Sequence, residues 1–427
     1  MKKIFILLLL LQGLAMAASF NEITIKDTKV PVVFEDGKYI PIVSMQLVFK
    51  NAGHLSNTKD GLADLCAKLL NEGTLKDGSV GFATKLDAHA VDIGAHVGRE
   101  SFILEVSALK SEFAYAVERF KELLQDPNYS KEAIGQIKRQ KIGWLTQKKG
   151  DFDYIAASKL REVLFKGSAL AKPYNGTLES VENISLDDLK GFIASHLGYN
   201  NVIGVVGGDI SFAEAQNYLT EILALFPKVE VKEIDRVKAS DKKELVISDE
   251  ETQQAYIYFA APFNYSYDQK DQYKAKIAEY LLGGAGFGSR MMEEIRVKRG
   301  LTYGVYAHLV RSKTVSYLSG YMQTKLSTQD EAKGLIQEVV DTFVAKGITQ
   351  KELDDTKKFL LGSEPLRTET LSQRLYRAYN DYYYERPLSF SKDQLGKIET
   401  VTLEEMNTFI TAHKELSDLS FSIVTKK

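Results

Sequence analysis

The chain has 427 residues, enough for two or more domains with full cores, and its 44% hydrophobic and 26% charged content is ordinary for a globular protein. With 55 basic residues against 57 acidic ones the formal net charge is −2, which argues against nucleic acid or an anionic membrane as partner. A single cysteine, Cys66, excludes an internal disulfide, so packed cores must supply the stability.

The amino terminus reads as an export signal. Lys2 and Lys3 precede the apolar run Ile4 to Leu11, and Ala15-Met16-Ala17 is an A-x-A cleavage site. The run is too short to stay in a bilayer as a spanning helix, and nothing later reads as a membrane span. Residues 1–17 are therefore expected to be a signal peptide, with the mature chain starting at Ala18 in the periplasm of a Gram-negative bacterium.

Ile40 to Lys50 is β-rich and ends in the Asn51-Ala52-Gly53 turn. In the next stretch, Gly61 to Thr74, the residues Leu62, Leu65, Cys66, Leu69 and Leu70 recur at helical spacing and paint one apolar stripe. Cys66 on that stripe reads as a buried, inert thiol. Phe82 to Arg99 reads as a helix end followed by a strand, Ser101 to Leu109 as a strand, and Ser111 to Gln125 as an amphipathic helix. A long basic helix is predicted over Ser130 to Lys149, a turn at Lys172 to Thr177 (KPYNGT), and a helix over Ile184 to His196. A strand over Asn201 to Val206 stops at Gly207-Gly208-Asp209, and the helix Phe212 to Phe226 closes this half. The charged stretch 228–245 has no strong period and reads as a linker.

The remainder repeats what came before. Val181 to Ile193 (VENISLDDLKGFI) matches Ile398 to Ile410 (IETVTLEEMNTFI), with Ser185/Asp188 and Thr402/Glu405 in the same capping-box positions. Lys131-Glu132 matches Lys351-Glu352 at nearly the same offset. Two homologous α+β domains, 18–227 and 246–427, explain both matches, each an antiparallel-rich sheet with helices packed on one face.

The GLA…GT frame, PYNGT, the Gly-Gly-Asp after a strand, a glycine-rich turn and IRVKRGLTY together resemble the pitrilysin or insulinase-type zinc peptidases, the inverted zincins. The resemblance implies two homologous domains facing one another as half of a clamshell. Members carry H-x-x-E-H in the motif helix, and here Asp64, Ala67 and Lys68 stand at those positions. A lysine ammonium cannot ligate zinc. The family's distal glutamate, roughly 75 residues further on, falls near Gly143 to Gln147, where no acidic residue occurs between Glu132 and Asp151. No metal ligand set is expected in this chain.

Other chemistry finds little support. His89 and His96 read as lying in a strand-rich region, seven apart and so on opposite faces, and the other four histidines are scattered. G-x-S-x-G is absent. The tyrosine-rich run Tyr376 to Tyr384 reads as helix packing and surface cover. Gly283, Gly284, Gly286 and Gly288 form a glycine-rich turn without the G-x-G-x-x-G spacing of a nucleotide site. The resemblance makes it a candidate substrate loop, since non-catalytic processing-peptidase subunits use such a loop.

Arg296 is expected to end a helix that Gly300 breaks, with Tyr303 beginning a strand. In the family an Arg and a Tyr at this spacing face the zinc site and help bind and polarise substrate. An ion pair of Arg296 with Glu293 beside a sheet tyrosine is the alternative. The resemblance thus implies a non-catalytic, peptide-binding subunit of an exported zinc peptidase. Zinc, water and base would sit in a homologous partner with intact H-x-x-E-H, and peptides or unfolded segments would pair partly with a sheet edge. A purely structural protein of the same fold, like the respiratory core subunits, is the second reading. An active peptidase with an unconventional metal site is the third.

Overall fold

The computed structural model describes residues 18–426, so the export signal read at 1–17 lies outside the described residues. Six strands form the first sheet: β1 (Ser19–Ile25), β2 (Thr28–Asp36), β3 (Ile42–Lys50), β4 (Asp92–Val97), β5 (Ser101–Leu109) and β6 (Val202–Gly208). Five form the second: β7 (Leu245–Asp249), β8 (Gln254–Pro262), β9 (Val305–Arg311), β10 (Ser316–Lys325) and β11 (Ser420–Thr425). Their orders are β1-β2-β6-β3-β5-β4 and β7-β11-β8-β10-β9. The second order equals the first without β1. Each sheet has one parallel pair, β2 with β6 and β7 with β11, and the other pairs are antiparallel. The internal repeat is therefore a repeat of topology.

Helices of the first half are α1 (Leu62–Leu70), α2 (Gly78–Asp87), α3 (Phe113–Gln125), α4 (Lys131–Lys148), α5 (Phe152–Leu164), α6 (Leu178–Asn183), α7 (Leu186–His196) and α8 (Phe212–Leu223). Those of the second are α9 (Gln272–Glu279), α10 (Gln329–Lys346), α11 (Gln350–Gly362), α12 (Leu371–Tyr383), α13 (Phe390–Thr400) and α14 (Leu403–Ala412). The two expected capping boxes are both made: Ser185 with Asp188 opens α7, and Thr402 with Glu405 opens α14. Helix α4 is capped by Ser130 and α11 by Thr349, so Lys131-Glu132 stands one position earlier in its helix than Lys351-Glu352. The helices correspond; the dipeptides are offset by one.

One large core lies on the helical face of each sheet. The other face is fuller than the sequence suggested, because each half lends it a helix from the opposite half. Leu375 and Ala378 of α12 pack on Val33, Val48, Ile203 and Val205 of the first sheet. Leu160 and Leu164 of α5 reach Ala260 and Val315 in the second half. The reason lies in the central strands: β6 and β11 are buried at every position, so neither sheet can leave a face to water. Polar ties reinforce the exchange. Arg374 Nε donates to Glu35 Oε1 at 2.7 Å, and Tyr258 Oη donates to Asp153 at 3.1 Å.

The stretch 228–244 between the halves has no helix or strand. It is docked all the same, since Arg236 donates to the carbonyls of Ser312 and Tyr265 at 3.0 and 2.8 Å.

Candidate functional site

The motif helix α1 forms as its stripe demands: Leu62, Leu65, Cys66, Leu69 and Leu70 are all buried. Burial pushes the Cys66 thiol pKa well up, and its Sγ lies 3.6 Å from the Leu189 carbonyl, the inert thiol expected. Gly61 starts the helix at φ +87, and a Cβ there would come within 3.0 Å of Gly176 Cα. Gly176 belongs to the KPYNGT turn, so these two glycines let that turn lie directly on the entry to α1.

At Asp64, one of the three positions that the resemblance sets against H-x-x-E-H, the chain has a salt bridge. Lys141 Nζ on α4 lies 2.9 Å from Asp64 Oδ2, with the side chains 4% and 19% exposed. The ammonium also donates to Asn175 Oδ1 at 3.3 Å and sits 4.5 Å over the Trp144 ring. Burial lowers the Lys141 pKa, and Asp64 opposes that shift. Ala67 is buried and half-buried Lys68 adds a second positive charge, which pushes Lys141 further down. Beside them His54 is held at about 4, chiefly by burial, and its Nδ1 has no hydrogen-bond partner. Two ammonium groups with one carboxylate cannot hold a dication, and among the described residues no cluster of three His, Cys, Asp or Glu could.

Lys141 lies just ahead of the segment where the distal ligand was sought. Its signal was available: Ala133, Ile137, Lys141 and Leu145 form the buried stripe of α4, and a lysine inside an apolar stripe requires a partner. A second closure lies beside it on edge strand β4. The Asn71 amide accepts from Ala95 N at 2.7 Å and donates to Ala95 O at 3.0 Å, as an added peptide strand would.

The histidine argument needs correction. His89 follows α2 in a turn and is not on a strand, so strand parity does not apply to it. It pairs with Glu112 at 2.8 Å, whereas His96 on β4 pairs with Glu105 at 2.7 Å. Each imidazole has its own carboxylate. Tyr379 and Tyr383 of the tyrosine run pack between α12 and the first sheet, while Tyr376 is exposed.

In the second half Arg296 lies in a π-type turn, Met292–Val297, and Gly300 at φ +64 ends the segment. Tyr303 precedes β9 by two residues and is 87% exposed, so it does not begin a strand as expected. The Arg296 guanidinium lies 4.6 Å over the Tyr303 ring and 4.3 Å over the Phe287 ring. The ion pair with Glu293 does not form, and Glu294 is taken by Lys298 and Arg299 at 2.6 and 3.0 Å. Arg296 and Tyr303 thus lie together, and Phe287, which no sequence pattern singled out, joins them.

Phe287 comes from the glycine-rich turn, whose glycines do different work. A Cβ on Gly283 would sit 2.5 Å from Ala307 Cβ, so Gly283 lets the turn press on β9. Gly286 adopts φ +57, and Gly288 leads to Ser289, a buried cap that donates to the Gly286 carbonyl at 2.8 Å. Arg290 then forks onto Glu352 at 2.6 and 2.8 Å. Burial pushes the Glu352 carboxyl up, but the Arg290 and Thr349 donors prevail and hold it at about 2. The base of the turn is thus fixed, and its tip shows an aromatic ring to solvent.

Residues 31–177 match the family described as insulinase (peptidase family M16), and residues 183–360 match the peptidase M16 inactive domain. The non-peptidase homolog YmxG of Helicobacter pylori is 42% identical over 431 residues, covering 100% of this chain and 99% of its own length. A peptidase M16 inactive domain from Pseudomonas fluorescens superposes with a TM-score of 0.88 at 24% identity, covering 96% of this chain and 98% of that one. The periplasmic protease PqqL of Escherichia coli superposes with a TM-score of 0.75 at 15% identity, and the match covers 97% of this chain but 48% of that chain. Among the described residues no helix is long and apolar enough to cross a membrane.

Proposed function

Because the chain belongs to the insulinase (M16) peptidase family and has a salt bridge where that family's ligands stand, we propose that it is the non-catalytic, peptide-binding subunit of a heteromeric, exported zinc peptidase. The partner is a homologue with intact H-x-x-E-H, which supplies zinc, its water and the general base. Two observations on known proteins support pairing: the similar YmxG is named a non-peptidase homolog, and the PqqL protease chain is about two such units long. Export rests on the basic and apolar start of the chain and its A-x-A site. The halves 18–227 and 246–427 act as the two domains of one wall of the chamber, joined through 228–245.

The observation that carries this reading is half-buried Arg296 stacked on exposed Tyr303. A structural arginine finds a carboxylate and a structural tyrosine is covered. Here the half-buried guanidinium stacks on two solvent-facing rings and, among the described residues, has no carboxylate partner. Facing the partner's site, Arg296 holds a peptide carbonyl or carboxylate. The Tyr303 hydroxyl donates to the carbonyl oxygen that gains charge as water adds. Gly283, Gly284, Gly286 and Gly288 carry Phe287 beside the same peptide.

The test is hydrolysis by the assembled pair. Arg296→Ala and Tyr303→Phe should each lower kcat/KM on the order of 100-fold while the two chains still co-elute. Full activity in both variants sinks the assignment. A stable pair that hydrolyses nothing would favour the purely structural reading, for which the name non-peptidase homolog speaks.

A further inference from the structure

Between the halves, next to His54 and on the side where α5 crosses to the second sheet, lies a cleft of about 440 Å³. Arg99, Arg161, Lys172 and Tyr174 line it from the first half, and Tyr258 and Tyr317 from the second. No carboxylate lines it. The nearby acids already have partners: Asp153 accepts from Gln323 and from Tyr258 of the cleft wall, and Glu100 accepts from Thr314 and Tyr383.

Three cations therefore face one small space, and among the described residues none of them has an ion-pair partner. By contrast, buried Lys141 and half-buried Arg290 and Arg374 each have a carboxylate partner. Arg161 is the informative member. Its guanidinium lies 4.8 Å over the Tyr174 ring, and its Nε is buried with no acceptor. A guanidinium with no carboxylate partner, stacked on an aromatic ring, keeps its outer N–H groups for an anion. His54 at the rim stays neutral at physiological pH, so the charge comes from Arg and Lys side chains alone. The remaining wall is aromatic and apolar, formed by the tyrosines with Leu160 and Phe165.

We propose that this cleft binds a carboxylate attached to an apolar or aromatic group on an extended peptide, with Arg161 as the central contact and Arg99 and Lys172 at the rim. The carboxylate accepts from the terminal nitrogens of the Arg161 guanidinium and neutralises the cluster through charge-assisted hydrogen bonds, while the adjoining side chain lies against Tyr174, Tyr258 and Tyr317. The cleft volume is that of one or two residues, not of a long segment. The inference deepens the peptide-binding reading above and rests on it, since the cleft would fix one end or one acidic side chain of the peptide.

The carboxylate has two sources, the peptide's own C-terminus or an Asp or Glu side chain, and titration calorimetry separates them. The first probe is N-acetylphenylalanine against its amide, which tests the cleft independently of any peptidase role. The acid should bind at least about tenfold more tightly than the amide, and more weakly as salt rises. Arg161→Gln should remove that preference, and exposed Arg99→Gln should reduce it about threefold with folding intact. A Phe-terminated hexapeptide then follows, as free acid, as C-terminal amide, and as an amide with an internal Glu. Preference for the free acid assigns the C-terminus, and preference for the Glu-bearing amide assigns the side chain. Equal binding of acid and amide in the small probe, or competition by inorganic phosphate as strong as by the aromatic acid, overturns the inference. Peptide binding that ignores both carboxylates overturns it too, while leaving the subunit reading intact.

Discussion

The motif helix of the first half and the Arg296 segment of the second have been treated in opposite ways. Around α1 most polar groups are satisfied from within: Lys141 pairs with Asp64, and the Asn71 amide occupies the outward groups of Ala95 as a peptide strand would, while His54 Nδ1 has no partner. Around Arg296 nothing has been filled, and Phe287 and Tyr303 stand 67% and 87% exposed with a guanidinium between them. A buried site that loses its ligands must be repaired, because unpaired charge and unsatisfied backbone are expensive inside a protein. An exposed site costs little to keep and nothing to lose. The rings beside Arg296 therefore stay open to a partner, whereas the paired charges at α1 serve stability.

The contrast is sharpened first by trying to reverse the repair. Restoring Asp64→His, Ala67→Glu and Lys68→His should yield no zinc binding while the Lys141 ammonium remains in place. Adding Lys141→Glu should allow micromolar binding, on the order of 8 kcal/mol. Zinc taken up by the triple variant, seen by equilibrium dialysis, would show that Lys141 does not occupy the cation position.

A smaller but direct effect concerns the pair itself. Lys141→Ala strands Asp64 and should cost about 3 kcal/mol or more, read as a lower Tm and an earlier urea midpoint. The double replacement Asp64→Asn/Lys141→Met should recover most of that loss, since a buried pair exchanged for neutral groups of similar volume is often tolerated. A double variant as unstable as the single one would assign the loss to packing instead of charge.

His54 gives the comparison a pH axis. Its folded pKa of about 4 lies below the ordinary 6.5, so the unfolded chain takes up the proton first as pH falls. The stability His54 contributes is complete above pH 6.5 and is lost on going down to pH 4, at most about 3 kcal/mol at 1.36 kcal/mol per pH unit. His54→Gln should flatten the urea midpoint across that window. An unchanged slope would mean that other groups govern acid unfolding.

Legibility followed the same division. Amphipathic stripes, caps and turns are local, so α1, α4, α7 and α14 and the strands β3, β5 and β6 could be placed from spacing and from Ser185, Thr402 and Gly208 alone. The exchange of α5 and α12 was not legible, because an apolar stripe tells that a helix is covered and not by which sheet. Lys141 was visible as a polar break in an apolar stripe, but its partner Asp64 is 77 residues away and only the fold joins them. Phe287 carried no signal beyond its glycines, since an exposed ring on a turn follows no period.

The smallest effect tests the open side. Phe287 touches Arg296 at the surface, where a cation–π contact is worth about 0.5–1 kcal/mol. Phe287→Ala should therefore lower kcat/KM of the assembled pair only about two- to fivefold and leave Tm unchanged, while Phe287→Tyr restores activity. The rings of Phe287 and Tyr303 would then act as a clamp that limits where the guanidinium can point. If Phe287→Ala lowered Tm instead, the turn would belong with the repaired core around α1. The distinction between a filled site and an open one would then no longer separate the two halves.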